Sequence, residues 1–109
     1  MNDAAGALAR RHCVPGSPRL SPGELDAALA ALDQWQCVDG RLVRSFSFAD
    51  FHAVMAFVNA IAYIAHREDH HPDLTLGYNR VHVAYSTHDA GGITINDCIC
   101  AARIDALEA

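Results

Sequence analysis

The sequence predicts an α+β domain in which antiparallel strands carry helices on one face. Apolar and polar residues alternate in two pairs of short segments. Segments with helical spacing of apolar residues precede, separate and follow these two pairs. Strands joined by a short turn pair antiparallel, so the order helix, two strands, helix, two strands, helix gives a sheet with its helices on one side.

Composition and charge narrow the class of protein. The chain has 109 residues, of which 51% are hydrophobic, and this fits a single domain with its own core. A lone domain of this size is only modestly stable, so we expect oligomerisation. The net charge of −5 argues against binding nucleic acid or an anionic membrane through general electrostatics. No apolar run approaches the length of a membrane span, and the N-terminus lacks a signal-peptide core, which predicts a cytoplasmic protein.

Residues 1–19 show no sustained periodicity and predict a mobile tail ahead of one domain over residues 20–109.

A capping box opens the first predicted helix. Ser21 then takes the N-cap position and Glu24 the N3 position, with a proline between them at N1. The helix should run to about Asp33, with leucines along one stripe.

The first strand pair is predicted at residues 35–38 and 42–46. Asp39 and Gly40 stand between the strands and accept the positive φ angles of a type I′ hairpin turn. Trp35 is the only tryptophan of the chain. It can fill the core or form a flat wall for an aromatic ligand, and this stretch alone favours the core.

The longest predicted helix follows the first strand pair. Ser47 and Asp50 have the spacing of a second capping box. Apolar residues then follow helical spacing on one face, while Phe57 and Ile64 lie off that stripe. A helix that is apolar on more than one side usually packs against more than its own sheet, so we expect it to form part of a subunit interface.

The second strand pair follows the end of this helix. The helix should end near Glu68, because the residue before Pro72 avoids helical angles. Residues 74–78 and 81–85 then alternate around a short turn and predict two more strands.

Five of the seven histidines fall between residues 66 and 97, around an adjacent pair that is followed by a proline. Imidazole titrates near neutral pH, so this cluster indicates acid–base or metal-binding chemistry. If strand alternation continues past residue 85, the last two of the five share one face of the sheet. The five are His66, His70, His71, His82 and His88.

The cysteines do not predict a disulfide framework. Cys98 and Cys100 are two residues apart in a predicted helix, so their side chains diverge. The CxxC spacing of a redox or zinc site is absent. Together with Cys13 and Cys37 they are interpreted as reduced, small apolar residues.

A pattern over residues 66–97 resembles the signature of the pterin-4a-carbinolamine dehydratases: His66-x3-His70-His71-Pro72-x5-Tyr78-x9-His88-x8-Asp97. The resemblance extends over residues 21–107. It implies a four-stranded antiparallel sheet with three helices on one face, in homodimers or homotetramers. It also implies removal of water from 4a-hydroxytetrahydropterin, the spent product of aromatic amino-acid hydroxylases, to give quinonoid dihydropterin. Some animal members also bind a transcription factor.

The resemblance implies roles for particular residues. His70 and His88 would form the acid–base pair at the 4a-hydroxyl, and His71 would bind and polarise the pterin. Asp69 could favour a protonated imidazole, and Trp35 could form an edge of the pterin pocket. The chemistry requires only proton transfers between groups with a pKa near 7, so no metal or redox cofactor is expected.

Two further positions of the signature have more than one possible role. Many relatives carry an acid where His66 stands. Asp97 closes the signature and could orient a group of the site, but it is also the N3 acid of a third capping box, opened by Thr94. That box starts a helix to about Leu107, and the local sequence favours the capping role.

Two other functions stay open. His66 and His70 are four residues apart and could share a helical face with Asp69 and His71 nearby, as in a metal site. The stretch lacks a recognised metalloenzyme spacing such as HExxH. Alternatively, the chain is a non-catalytic binding module or transcription coactivator, whose long helix docks a partner.

Overall fold

The computed structural model describes residues 3–108, which form four α-helices, one short 3-10 turn and one four-stranded sheet. The strands lie in the order β1-β2-β4-β3, and all neighbouring pairs are antiparallel. The predicted α+β fold is therefore confirmed, with one additional helix at the N-terminus. The elements in chain order are α1 (Asp3–Ala9), α2 (Pro22–Ala31), β1 (Gln36–Val38), β2 (Arg41–Ser47), α3 (Phe51–Glu68), β3 (Asp73–Leu76), β4 (Arg80–Tyr85) and α4 (Ile95–Leu107).

The hairpin between β1 and β2 turns at Asp39 and Gly40, as predicted. Their φ angles are 51° and 74°, the pair of positive values that a type I′ turn requires. Gly40 adopts this conformation at no steric cost because it has no Cβ atom.

One face of the sheet is buried and the other is open. In the central pair, Leu42 lies opposite Tyr85 and Phe46 opposite Val81, and all four side chains are buried. This alternation is the period of two that the sequence showed. The buried side chains form the core with α3 and α4, and residues 96–102 of α4 are all buried. No helix of residues 3–108 is both long and apolar enough to pass through a membrane.

The N-cap of helix α3 lies three residues later than predicted. Ser47 pairs with Arg80 as the last residue of β2, because the ladder to β4 extends that far. Asp50 is the N-cap instead, and its carboxylate accepts the N–H of Ala53 at 2.9 Å. The predicted capping box at Ser47 is therefore wrong. Asp50, which the prediction placed at N3, is itself the N-cap residue and caps the helix through its own side chain.

The predicted position of Phe57 off the buried stripe of α3 is also wrong, whereas the subunit interface itself stays a prediction. The side chain of Phe57 is 7% exposed and packs against Phe46 and Phe48 with ring centroids 4.7 and 4.9 Å apart. Ile64 is partly buried against the same core. The aromatic residues that α3 leaves exposed are Phe51 and Tyr63.

The expectation of a mobile tail at residues 1–19 differs from the packing seen for the part that the structure describes. Leu8 of α1 is buried in the core. Further along, the N–H of Cys13 donates to Glu68 Oε1 at 2.6 Å. The amide of Asn96 on α4 accepts the N–H of Val14 at 3.0 Å and donates to its carbonyl at 2.9 Å. These contacts join residues that are far apart in the chain. The local pattern of residues 1–19 therefore cannot predict them.

Candidate active site

The end of α3 turns His70 into the body of the domain. After Glu68, Asp69 adopts a left-handed conformation with φ of 50°. The N–H of His70 then donates to the carbonyl of Ala65 at 3.1 Å, which closes the helix and reverses the chain. As a result, the side chain of His70 is only 14% exposed, whereas His71 points to the surface.

The buried carboxylate of Asp97 joins three segments of the chain. Its Oδ1 lies 2.6 Å from Nε2 of His70. Its Oδ2 accepts the N–H of Thr94 and the hydroxyl of Thr87, both at 2.9 Å. The contact with Thr94 belongs to the predicted capping box, which is confirmed. One oxygen of Asp97 therefore caps α4 while the other holds His70, so its two suggested roles are compatible.

The imidazole of His70 is fixed on its face as well as at one nitrogen. Its ring stacks on the buried ring of Tyr85, with centroids 5.5 Å apart and an interplanar angle of 8°. A carboxylate only accepts hydrogen bonds, so Nε2 carries the hydrogen. Among the described residues Nδ1 has no hydrogen-bond partner, and this nitrogen can exchange a proton with a ligand.

The hydrogen bond to Asp97 raises the pKa of His70 above its ordinary value of 6.5, although partial burial opposes this effect. The charge of Asp69 adds to the rise. The rise shifts the imidazole towards its protonated form, which can act as a proton donor. Sequence reasoning named Asp69 as the carboxylate with this effect, but Asp97 has the larger one.

His88 follows the segment that contacts Asp97. Strand β4 ends at Tyr85, and His88 begins a short 3-10 turn that ends at Ala90. The N–H of Thr87 donates to the carbonyl of Gly92 at 2.9 Å, which closes this loop. Since Thr87 also contacts Asp97, the turn that carries His88 starts beside the carboxylate that holds His70.

Because β4 ends at Tyr85, the alternation does not continue to His88, and the condition for a face shared by His82 and His88 is not met. Of these two histidines, only His82 lies on the open face of the sheet, where its Nδ1 is 2.8 Å from Oγ of Ser45. His70 stacks on Tyr85, and Tyr85 and His82 face opposite sides of β4 because successive side chains of a strand alternate. The sheet therefore lies between His82 and His70.

The other three histidines named by the sequence signature, and Asp69, are at the surface. The side chains of His66, Asp69, His71 and His88 are exposed, and within residues 3–108 none of them forms a side-chain hydrogen bond or ion pair. In the same part of the chain, no group of three or more His, Cys, Asp or Glu residues is arranged to hold a metal ion.

The structure does not bring Trp35 to this cluster. Its indole is 3% exposed and packs edge-on against Phe46. The indole N–H donates to Asp105, which lies two turns beyond Asp97 on α4. The position of Trp35 agrees with the core role that its local sequence favoured.

A cleft beside Thr87 has the size of a small-molecule site. Its volume is about 390 Å³, within the range of pockets that hold ligands of this kind. Its walls include Ser17 and Arg19, which precede α2, and Asp89 from the 3-10 turn. A second cleft of about 340 Å³ lies between α2 and β1, and neither cleft is lined by a histidine.

Sequence reasoning did not assign Tyr85 and Thr87 to the site. Both precede His88 in a segment that looked like a strand, and a buried tyrosine at such a position indicates only a core residue. The sequence signal that points to further site residues is Asp97, the acid of the predicted capping box. A carboxylate at the start of a helix can accept hydrogen bonds from other segments as well as from the N-cap residue.

Comparison with known proteins identifies the family. Residues 18–107 match the model of the pterin 4 alpha carbinolamine dehydratase family. A protein of Nitrosomonas eutropha, provisionally named a pterin-4-alpha-carbinolamine dehydratase, is 49% identical over 104 residues and covers 92% of each chain. A protein of Stenotrophomonas maltophilia with the same provisional name is 50% identical over 105 residues, which cover 92% of this chain and 90% of the relative.

Solved structures agree with this assignment. The crystal structure of a transcriptional coactivator/pterin dehydratase from Brucella melitensis has a TM-score of 0.80 and 40% identity, covering 84% of this chain and 99% of that one. A pterin dehydratase-like protein, identified as a RuBisCO assembly factor in the alpha-carboxysome, has a TM-score of 0.56 and 26% identity over 67% of this chain and 84% of that one. On the evidence of its sequence and fold, the chain belongs to the pterin-4a-carbinolamine dehydratase family.

Proposed function

We propose that this protein catalyses the dehydration of a 4a-hydroxytetrahydropterin to the quinonoid dihydropterin, with His70 as an acid–base group. The main supporting observation is the 2.6 Å contact between His70 Nε2 and Asp97 Oδ1. An imidazole held in this way is oriented, and its pKa is raised. Membership of the family supplies the class of substrate.

The reaction requires two proton transfers. The C–O bond at the 4a carbon breaks, and the departing oxygen takes up a proton and leaves as water. The adjacent ring nitrogen loses a proton as its C=N bond forms. In this proposal His70 and His88 are the acid–base pair, and His71 binds and polarises the pterin. Asp97 keeps the ring of His70 in place, and Asp69 supports its protonated form.

The cleft beside Thr87 is the proposed place of the pterin. It adjoins the 3-10 turn that begins at His88 and the hydroxyl that contacts Asp97. A bicyclic ligand there would lie beside the turn that carries His88 and beside Thr87, whose hydroxyl contacts the carboxylate that holds His70. The chemistry proceeds by proton transfer alone, so no metal or redox cofactor is part of the proposal.

The test compares four single variants. His70→Ala, His71→Ala and His88→Ala should each lower the enzymatic rate by about 10²- to 10⁴-fold, the usual contribution of an acid–base group. His82→Ala is the matched control, because His82 lies on the open face of the sheet. Quinonoid formation is followed against the spontaneous rate, which sets the residual background. Wild-type rates in all three site variants would refute the assignment.

The cellular setting follows from this activity. The protein would recycle the pterin of an aromatic amino-acid hydroxylase in the cytoplasm, as a homodimer or homotetramer. Phe51 and Tyr63 are 47% and 63% exposed on α3 and are the aromatic side chains that α3 offers to a second subunit.

A second candidate function is that of a binding module for another protein. One structural relative is named a transcriptional coactivator as well as a pterin dehydratase. The exposed aromatic residues of α3 offer a helix face on which a partner could dock. This function can coexist with catalysis. A stable oligomer without dehydratase activity would favour it over the first proposal.

A further inference from the structure

Cys13 and Cys100 meet in space although 87 positions separate them in the chain. Their sulfur atoms lie 3.6 Å apart. Cys100 is fully buried on α4, whereas Cys13 is partly exposed in the segment that follows α1. A disulfide has an S–S bond of about 2.05 Å, so a closing movement of about 1.5 Å would join the two.

The N-terminal segment, residues 10–17, is held in this position on both sides of Cys13. The backbone N–H of Cys13 donates to Glu68 Oε1 at 2.6 Å. The next residue, Val14, forms two hydrogen bonds with the side chain of Asn96. The carbonyl of Arg11 accepts a bond from the guanidinium of Arg103 at 3.0 Å. The proximity of the sulfurs is therefore built into the packing of this segment on α3 and α4.

The surroundings distinguish Cys100 from its neighbour on α4. The hydrogen bond with the Cys13 thiol holds the pKa of Cys100 below its usual range, and nearby His70 and the hydroxyl of Tyr85 add to this effect. That hydroxyl is buried and has no nitrogen or oxygen partner within residues 3–108. By contrast, burial raises the pKa of Cys98 to about 12. Thiolate chemistry is thus favoured at Cys100 and disfavoured at Cys98.

We propose that Cys13 and Cys100 form a reversible disulfide that fastens the N-terminal segment to α4, with a hydroperoxide as the oxidant. One sulfur attacks the peroxide oxygen and becomes a sulfenic acid, and with hydrogen peroxide one water is released. The second sulfur attacks the sulfenic sulfur, which forms the S–S bond and releases a second water. Each peroxide takes up the two electrons that the two thiols lose. A dithiol reductant reverses the bond by exchange.

This modification site is inferred from the contact of the two sulfurs, and not from the proposed dehydratase activity. Cys13 lies outside residues 18–107, which match the family model, so the pair combines a residue of the N-terminal segment with one of the family domain. Within residues 3–108 no other two cysteine sulfurs are in contact. Cys37 is exposed on β1 and would react, if at all, with other molecules.

The experiment uses a Cys37→Ser protein, which retains Cys13, Cys98 and Cys100. Treatment with a small excess of hydrogen peroxide should reduce the number of thiols counted after denaturation from three to one. Non-reducing trypsin digestion should give residues 12–19 linked to residues 81–103, and fragmentation between the two cysteines of the larger peptide should place the link on Cys100. Dithiothreitol should restore all three thiols.

Two matched variants and one further measurement complete the test. Addition of Cys98→Ala should leave the link intact, and addition of Cys13→Ser should abolish it. Oxidation should also raise the midpoint of thermal unfolding, because a cross-link over a long loop restricts the unfolded chain.

Three results would overturn the proposal. These are persistence of all three thiols, a link that involves Cys98, or a lower unfolding midpoint in the linked protein. The first two are read on a protein in which Cys13 and Cys100 are unchanged, so poor folding of a variant cannot mask them.

Discussion

Asp97 and Asp105 lie two turns apart on α4, about 12 Å along the helix axis, and each carboxylate receives donors from other elements. Asp105 accepts the indole N–H of Trp35 at 2.8 and 3.0 Å and the guanidinium of Arg44 at 2.6 Å. Asp97 accepts the imidazole of His70 at 2.6 Å. The two ends of the helix are thus anchored by the same kind of contact.

The donors differ in how they respond to pH. Indole and guanidinium donate at every pH at which the protein is folded, whereas imidazole changes its charge near neutrality. At Asp105, burial raises the pKa of the carboxyl, and Trp35 and Arg44 oppose the rise. At Asp97, the carboxylate instead raises the pKa of its partner, His70. The titration of the donor, rather than the number of hydrogen bonds, separates a carboxylate suited to catalysis from a structural one.

The largest expected difference between the two ends is in turnover. Asp97→Asn should lower dehydration per folded molecule roughly tenfold or more, because His70 loses the charge that orients and protonates it. Asp105→Asn should leave that rate within about twofold, although loss of a charged acceptor costs each variant about 1–3 kcal/mol of stability. Denaturation and rate are measured on the same preparations. Equal turnover in the two variants would mean that Asp97 acts only as a helix cap.

The second difference is in the pH dependence of stability. His70 has a folded-state pKa above its unfolded value of 6.5, so the stability from its contact with Asp97 is fully present below that pH and is lost as pH rises through the folded pKa. Denaturation midpoints recorded between about pH 5 and 9 should fall across this window. Asp97→Asn should flatten the decline, whereas Asp105→Asn should retain it. A decline that persists unchanged in Asp97→Asn would assign it to another group.

A smaller effect is expected from Trp35→Phe, which keeps an aromatic ring in the core but removes the N–H that Asp105 accepts. The expected cost is about 1–2 kcal/mol of stability, with KM for the pterin unchanged. The measurement pairs chemical denaturation with substrate titration. A several-fold higher KM in a protein of normal stability would show that Trp35 borders the substrate, as the family resemblance implied.

Removal of metal ions should have the smallest effect, namely none. Prolonged chelation followed by dialysis should leave the dehydration rate unchanged, because the proposed chemistry uses only proton transfers by imidazole. Activity that disappears on chelation and returns with zinc would show that His70 and its neighbours hold a metal ion. The two ends of α4 would then differ because one binds a metal ion, and not because the donor at that end changes its protonation state.

The predictions that succeeded concern contacts between residues close in the chain. The hairpin at Asp39 and the capping boxes opened by Ser21 and Thr94 appear as expected. Each depends on backbone angles or hydrogen bonds that span no more than four residues, so the residue types suffice to predict them.

The predictions that failed depended on distant segments. Ser47 fits a helix cap locally, but pairing with β4 keeps it in a strand. The buried stripe of α3 runs through Phe57, whereas the local pattern predicts that Phe57 lies off this stripe. The contacts of the segment before residue 20 with Glu68 and Asn96 also lie beyond local periodicity, while its mobility stays a prediction.

For this protein the sequence by itself determined the order of the elements, the turn chemistry and the family signature, because these are encoded in the local pattern of residue types. Only the tertiary structure decided that the second oxygen of Asp97 meets His70, 27 positions earlier in the chain, and that Cys13 meets Cys100. Such contacts form when whole elements pack against one another. The fold, rather than any local preference, sets the separation of the atoms involved.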